Sequence, residues 1–356
     1  MKAALITKFG LPDVFSVDEI PTPVPGPGEA LVRIKACGVN RMDTELRAGV
    51  YGGEPLDSFF FGRNIALPHL PGIEPAGIVE AVGEGVIDLI PGTFVIPHSH
   101  LSCGSCANCA AGDDNACPEI RVLGVQTPGQ GGYAEYIVWP ASQLITFKNS
   151  LSFVSAAALL VNYGPIWNGL IERASLREQD TLVVTGAAGG CGHAALDIGR
   201  LTGCRTIAVT RSAHKADALI TAGATEVIID RGDETWAEEV LRLTDGRGAD
   251  CVLELVGAAT WQQSLAAAAS RGRVVVIGSH SGLNVELNLA QLFSKNLTII
   301  GITRANRRSM EQVVRNAETG LLRPSIGHSI ALDNVSEAHR LMDSDSHTGK
   351  IVLTMD

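Results

Sequence analysis

TLVVTGAAGGCGHAALDIGRL, residues 181–201, is the stretch on which the fold of this chain turns. A short apolar run of strand length gives way to a glycine-rich turn, then to a stretch with helical apolar spacing. Downstream the alternation repeats through TIAVT (206–210), KADALITA (215–222), VIID (227–230), WAEEVLRLT (236–244), CVLELV (251–256), WQQSLAAAA (261–269) and VVVIG (274–278). Apolar strands alternating with helices predict βαβ units and a parallel sheet covered on both faces. Gly203, Gly223 and Gly272 follow the helical runs, where a C-cap favours a left-handed residue.

The turn, Gly186 to Gly192, predicts a dinucleotide site. Glycines let the backbone approach a pyrophosphate, and the next helix offers free N–H groups and its positive dipole end. Strict G-x-G-x-x-G spacing is broken at Ala187, so the strand before and helix after carry the reading of Gly189, Gly190, Cys191 and Gly192. About 20 residues on, NAD-binding chains place an acid for the ribose hydroxyls. Here stand Thr210, Arg211 and Ser212, with Lys215 one turn further. An acid would repel a 2′-phosphate, whereas Arg and Lys pair with it, so the pattern predicts NADP(H) over NAD(H). The plainer alternative makes Arg211 and Lys215 solvated charges at a helix start. Val256, Gly278 and Gly301 close later apolar runs and are placed in the same cofactor site.

Upstream the texture is β-rich. LVRIKACGV (31–39), GIVEAVGEGV (77–86) and TFVIP (93–97) read as strands, with prolines and glycines between them, as in a twisted, partly closed sheet. Within this region CGSCANCAAGDDNAC (103–117) brings Cys103, Cys106, Cys109 and Cys117 together. Four thiolates at such spacing suit the closed tetrahedral shell of a structural Zn2+. Two disulfides are the alternative. It is disfavoured because Cys37, Cys191, Cys204 and Cys251 lie among apolar or glycine neighbours, like reduced thiols of a cytoplasmic protein.

A chain of 356 residues predicts two domains, and a hydrophobic share of 46% supplies their cores. No apolar stretch is expected to reach the roughly 18 residues of a membrane span. MKAALITKFG reads as a first strand rather than a signal peptide. The net charge of −10, without a Lys/Arg block, argues against nucleic acid and leaves a small molecule as the expected partner.

CGVNRMD (37–43), PGIEPAGIVEAVGEGV (71–86), the cysteine lobe, AAGGCG (187–192), GADCVLELVG (248–257) and TGKIVL (348–353) together resemble the medium-chain dehydrogenase/reductase superfamily, over essentially the whole chain. The resemblance implies an α/β protein with a β-rich chaperonin-10-like catalytic domain over 1–155, its zinc lobe at 98–120. A Rossmann doubly wound parallel-sheet domain follows over 156–294, and a return segment over 295–356 completes the catalytic domain. It also implies a nicotinamide lying between the domains, a homodimer or homotetramer, and a pyrophosphate contact from Lys350, which is otherwise a surface lysine.

Zinc alcohol dehydrogenases of this superfamily hold a catalytic Zn2+ with a Cys, a His and a second Cys or an acid. The positions that match are Asn40, Ile73 and Val161, while Asp43 and Glu74 remain and Met42 replaces the proton-relaying Ser/Thr. The resemblance therefore implies a lost catalytic zinc. Without a Lewis acid an unactivated carbonyl is a hard hydride acceptor, whereas an enone or quinone delocalises the incoming charge. CGVNRMDTELRAGVY (37–51) is similar to zinc-independent quinone oxidoreductases at Asn40, Asp43, Arg47 and Tyr51.

The expected activity is reduction of a conjugated double bond or quinone by NADPH. Asn40 is a candidate for the ribose or substrate carbonyl, or else a cap. Tyr51 is the proton-donor candidate, or else a packed loop residue. Asp43 is a site candidate whose plainer role is to bond backbone. Tyr163 and Trp167 are expected to shape the pocket. His69, His98 and His100 are weighed as replacement ligands and set aside on spacing, and Phe59, Phe60 and Phe61 are expected to form an apolar wall or lid. The rival readings are an atypical zinc-dependent alcohol or aldehyde dehydrogenase and a non-catalytic NADPH-binding protein.

Overall fold

The computed structural model describes residues 1–58, 65–233, 235–344 and 346–355, so the phenylalanines at 59–61 lie outside the described residues. The chain divides into two compact units.

The first unit comprises Met1–Val161, Ala305–Gly320 and Ile326–Asp356. Its hub is the strand Glu29–Val39, where Val32, Ile34 and Ala36 are buried while Arg33 and Lys35 are partly exposed. That strand pairs antiparallel with Pro75–Val82, Tyr136–Pro140 and Lys350–Thr354. The full sheet runs Leu144–Phe147, Phe94–Pro97, Pro75–Val82, Glu29–Val39, Lys350–Thr354, Ile326–Ala331. Cys37 pairs with Leu353, which sets a C-terminal strand in the interior of an N-terminal sheet. Ala30, Val32, Ile34, Tyr133, Trp139, Ile351 and Leu353 belong to its core.

The second unit comprises Asn162–Arg304 and Leu321–Ser325. Six strands, Thr181–Val184, Arg205–Thr210, Glu226–Ile229, Ala249–Glu254, Ala268–Val276 and Thr298–Gly301, form a parallel sheet. Counted within this sheet their spatial order is 3-2-1-4-5-6, the doubly wound arrangement that reverses beside the first strand. Val183, Ile207 and Val252 are fully or almost fully buried, as strands covered on both faces require.

Three expectations need correction. Residues 156–161 belong to the first unit rather than the second, and residues 295–304 and 321–325 belong to the second rather than the return segment, with Thr298–Gly301 the edge strand of the parallel sheet. Gly272 is no helix cap: its helix ends at Ala267, and Gly272 lies inside the strand Ala268–Val276. Finally, one helical run, Phe153–Arg173, is long and apolar enough by length and composition to cross a membrane. With 72% of its apolar window buried, it reads as a core helix.

Candidate active site and metal centre

The helix Arg41–Ala48 starts at Asn40, whose backbone is extended (φ −125°, ψ 157°), and stops at the left-handed Gly49 (φ 76°). Asp43 sits in its first turn and accepts the Asn40 backbone N–H at 2.9 Å, a capping interaction that also favours a carboxylate at the dipole's positive end. Burial nevertheless dominates, raising the Asp43 pKa to about 7.

Asn40 is itself buried, 6% exposed. Its Nδ2 donates to Glu74 Oε2 at 3.1 Å and to the Gly38 carbonyl at 3.3 Å. Its Oδ1 accepts from Lys350 Nζ at 2.5 Å. Lys350 also pairs with Glu74 Oε2 at 2.5 Å, with side chains 4% and 0% exposed. The remaining Glu74 oxygen accepts the Val161 backbone N–H at 2.7 Å. Lys350 is thus not a surface lysine, and the ammonium expected at the pyrophosphate is engaged by Glu74 and Asn40. Gly38 makes room for this cluster: a Cβ there would lie 2.4 Å from the Ala157 carbonyl oxygen and 2.5 Å from Glu74 Oε2.

Beside the cluster the chemistry turns apolar. Ile73 is in a buried group with Ile6, Val14, Leu46, Leu56 and Val125, and Met42, Val161 and Tyr51 pack against it. Tyr51 lies in the two-residue strand Val50–Tyr51 and is half-buried. Elsewhere in the same unit, His339 bridges Arg47 Nη1 (3.3 Å) and the Tyr133 hydroxyl (3.1 Å). Burial and then the Arg47 charge lower the His339 pKa to about 3. His69 bonds the Gly124 carbonyl at 2.7 Å through Nε2, a structural role.

In the second unit the first strand of the parallel sheet leads through Gly186 (φ 58°) into the helix Gly190–Thr202, with Gly189 as N-cap. A Cβ on Gly190 would meet Asn162 Nδ2 at 2.3 Å, and one on Gly192 would meet the Ala187 carbonyl at 2.2 Å. Gly189 has nothing nearer than 3.8 Å, so its face is open for a ligand's approach. Val256 covers Gly186, Gly278 packs on Leu255, and Gly301 ends the edge strand with open space around it. All these positions follow the carboxyl ends of strands, where open parallel sheets bind ligands. Thr210 ends the second strand and bonds the Ser212 N–H at 3.2 Å, with Arg211 exposed and Lys215 buried. Tyr163 donates to Asp197 at 3.0 Å inside this unit, which makes it a packing residue.

The four lobe cysteines converge. Their sulfurs all lie within 4.8 Å of one another, and Cys103 and Cys109 Sγ are 4.0 Å apart. Zn–S bonds of about 2.3 Å at tetrahedral angles need sulfurs about 3.8 Å apart, so the set fits one zinc ion. N–H groups of Ser105 and Cys106 lower the Cys103 pKa to about 6, whereas burial and the neighbouring thiols raise that of Cys109 to about 12. All eight cysteines are free. A second convergence, not legible in the spacing, joins His98, His100 and Asp114.

Residues 26–149 match the alcohol dehydrogenase GroES-like domain, and residues 190–319 match the zinc-binding dehydrogenase family. A solved NAD-dependent alcohol dehydrogenase is 35% identical, with a TM-score of 0.92 and 100% of both chains covered. The chain belongs to the medium-chain dehydrogenase/reductase superfamily. Human (Homo sapiens) quinone oxidoreductase, another relative, is 27% identical over 100% of this chain and 98% of its own. A crotonyl-CoA carboxylase/reductase, AntE, solved in complex with NADP, is 26% identical with a TM-score of 0.90, covering 99% of this chain and 94% of its own. These medium-chain relatives support an oxidoreductase from a superfamily that binds NAD(P).

Proposed function

We propose that this chain is an NADPH-dependent reductase that delivers hydride to a conjugated double bond or a quinone without a catalytic metal. The observation that carries the reading is the buried Lys350–Glu74–Asn40 cluster. Asn40, Ile73 and Val161 offer no thiolate or imidazole, and both oxygens of Glu74 are already engaged by Lys350, Asn40 and the Val161 N–H. That donor set does not fit a catalytic zinc. The cysteine lobe, by contrast, would hold a structural zinc through Cys103, Cys106, Cys109 and Cys117.

NADPH, when bound, supplies the hydride. The glycine loop Gly189 to Gly192 would hold the pyrophosphate at the helix start, and Arg211 with Ser212 would pair with the 2′-phosphate. Met42, Ile73 and Val161 form an apolar wall that excludes water and suits a conjugated substrate. Hydride reaching the electrophilic carbon sends an electron pair onto the substrate oxygen, and the Tyr51 phenol gives the proton that completes reduction.

The test is NADPH oxidation across a panel of quinones, enones and enoyl thioesters, with and without chelator. Turnover that survives chelation supports the reading. Alcohol oxidation with NADP+ that requires added zinc would instead favour the atypical dehydrogenase, and tight NADPH binding without turnover the non-catalytic protein. Arg211→Asp is expected to weaken NADPH binding by roughly 10- to 100-fold relative to NADH, the worth of one charge-assisted bond.

The reading extends to a cytoplasmic protein that assembles as a homodimer or homotetramer. Self-association is supported by the edge strand Thr298–Gly301 and by Leu289 (65% exposed), Phe293 (71%) and Ile299 (36%) near it, an apolar edge that a second copy would cover.

A further inference from the structure

We infer that His98, His100 and Asp114 form a second metal site of this chain, a structural centre for a divalent first-row ion such as Zn2+, distinct from the cysteine quartet. Both imidazoles are fully buried, and each turns its Nε2 toward the same oxygen, Asp114 Oδ2, at 3.6 Å from His98 and 3.1 Å from His100. One ligand atom from each of the three residues lies within 4.8 Å of the other two. Zinc bonded to N and O at about 2.0–2.1 Å in a tetrahedron spaces its donors about 3.3–3.4 Å apart. The two observed distances bracket that spacing. Two imidazoles and one carboxylate supply the nitrogen and oxygen donors that first-row divalent ions bind.

The surroundings orient the donors as metal sites do. The Ser99 hydroxyl lies 3.4 Å from His100 Nδ1, so that nitrogen can donate to it while Nε2 binds. Asp114 Oδ1 accepts the Arg307 backbone N–H at 3.0 Å, which turns Oδ2 toward the imidazoles. Arg307 opens the helix Arg307–Glu318, and its guanidinium is directed to Glu311 and to the Ser142 and Leu144 carbonyls. An ion here would pin three distant stretches together: the segment after Phe94–Pro97, the cysteine lobe, and this late helix. With the imidazoles fully buried the role is a clamp, and no substrate reaches it.

The experiment is zinc analysis with zinc-edge X-ray absorption on the full chain, purified with Zn2+ as the only added metal. About two zinc ions per chain are expected, in a mixed sulfur and nitrogen/oxygen environment with imidazole scattering. His98→Ala and His100→Ala should each lower the content to about one, leaving an all-sulfur spectrum. One zinc in an all-sulfur shell in the unaltered protein overturns the inference. So do two zinc ions that persist in both histidine variants. If the variants do not fold, the unaltered protein still decides, because Asn40, Ile73 and Val161 bring no imidazole to the other candidate position. NADPH oxidation plays no part in this readout, so it can fail while the reductase reading stands.

Discussion

Lys350 and Glu74 place opposite charges beyond the reach of water, where removing one partner costs more than the pair contributes. Lys350→Met strands a buried carboxylate, and Glu74→Gln strands an ammonium. Each is expected to lower unfolding free energy by about 3–5 kcal/mol in urea titrations, with the double variant losing less than the sum. Additive losses would mean the two side chains do not share one interaction. None of this was visible as a pair in the sequence: Lys350 and Asn40 are 310 residues apart, and only the strand register joins them. Asn40 and Glu74 were legible as survivors of a metal motif. The ammonium that now engages both was not, because a lysine in a closing TGKIVL carries no sign of its burial.

At the scale of an element, the glycine turn of the second unit separates two reasons for having glycine. Gly190 is forced by its neighbour, since a Cβ would meet Asn162 Nδ2 at 2.3 Å. Gly189 is not forced by anything within the fold. Gly190→Ala should therefore cost stability, about 1–3 kcal/mol of overpacking strain, along with nucleotide affinity. Gly189→Ala should leave the thermal midpoint unchanged while weakening NADPH binding. Equal midpoint losses would show that Gly189 is structural. The βαβ alternation was legible almost strand by strand because each buried strand is an uninterrupted apolar run. Boundaries were less so: the strand Ala268–Val276 takes in residues that read as helix, and Thr298–Gly301 reads like the start of the next domain. The convergence of His98, His100 and Asp114 is not legible in the sequence, because the two histidines stand outside any ligand motif and Asp114 reads as one more polar residue of the cysteine lobe.

For the whole molecule, two buried groups give stability opposite slopes with pH. His339, lowered to about 3 from 6.5, binds more protons unfolded than folded, so its contribution is complete above 6.5 and fades as pH falls toward 3. Asp43, raised from 3.8 to about 7, does the reverse: its contribution is complete below 3.8 and is lost as pH rises to about 7. Between those limits the slopes partly cancel. His339→Gln should leave a protein that weakens more steeply from pH 4 to 7, and Asp43→Asn one that strengthens over the same range, read as denaturant midpoints. Identical profiles for both variants would remove these residues as the source. The proposed assembly is tested at the same scale. Phe293→Asp should shift the chain to a smaller assembly in sedimentation, with the far-UV circular dichroism unchanged.

The strand Lys350–Thr354 lies inside a sheet whose other members are mostly made before residue 161, and this sets a clock on biosynthesis. At roughly 5–20 residues per second, the ribosome needs roughly 10–40 seconds between residue 161 and residue 350. Throughout that interval the first unit has a vacant berth along Glu29–Val39, while the parallel sheet can already form behind it. A nascent chain is then a folded nucleotide module carrying an unfinished antiparallel sheet, with an exposed strand edge open to chaperones or to the wrong neighbour. Arrest-peptide or ribosome-stalling measurements should find the second unit folded first. They should find the first unit protease-sensitive until its final strand has left the exit tunnel.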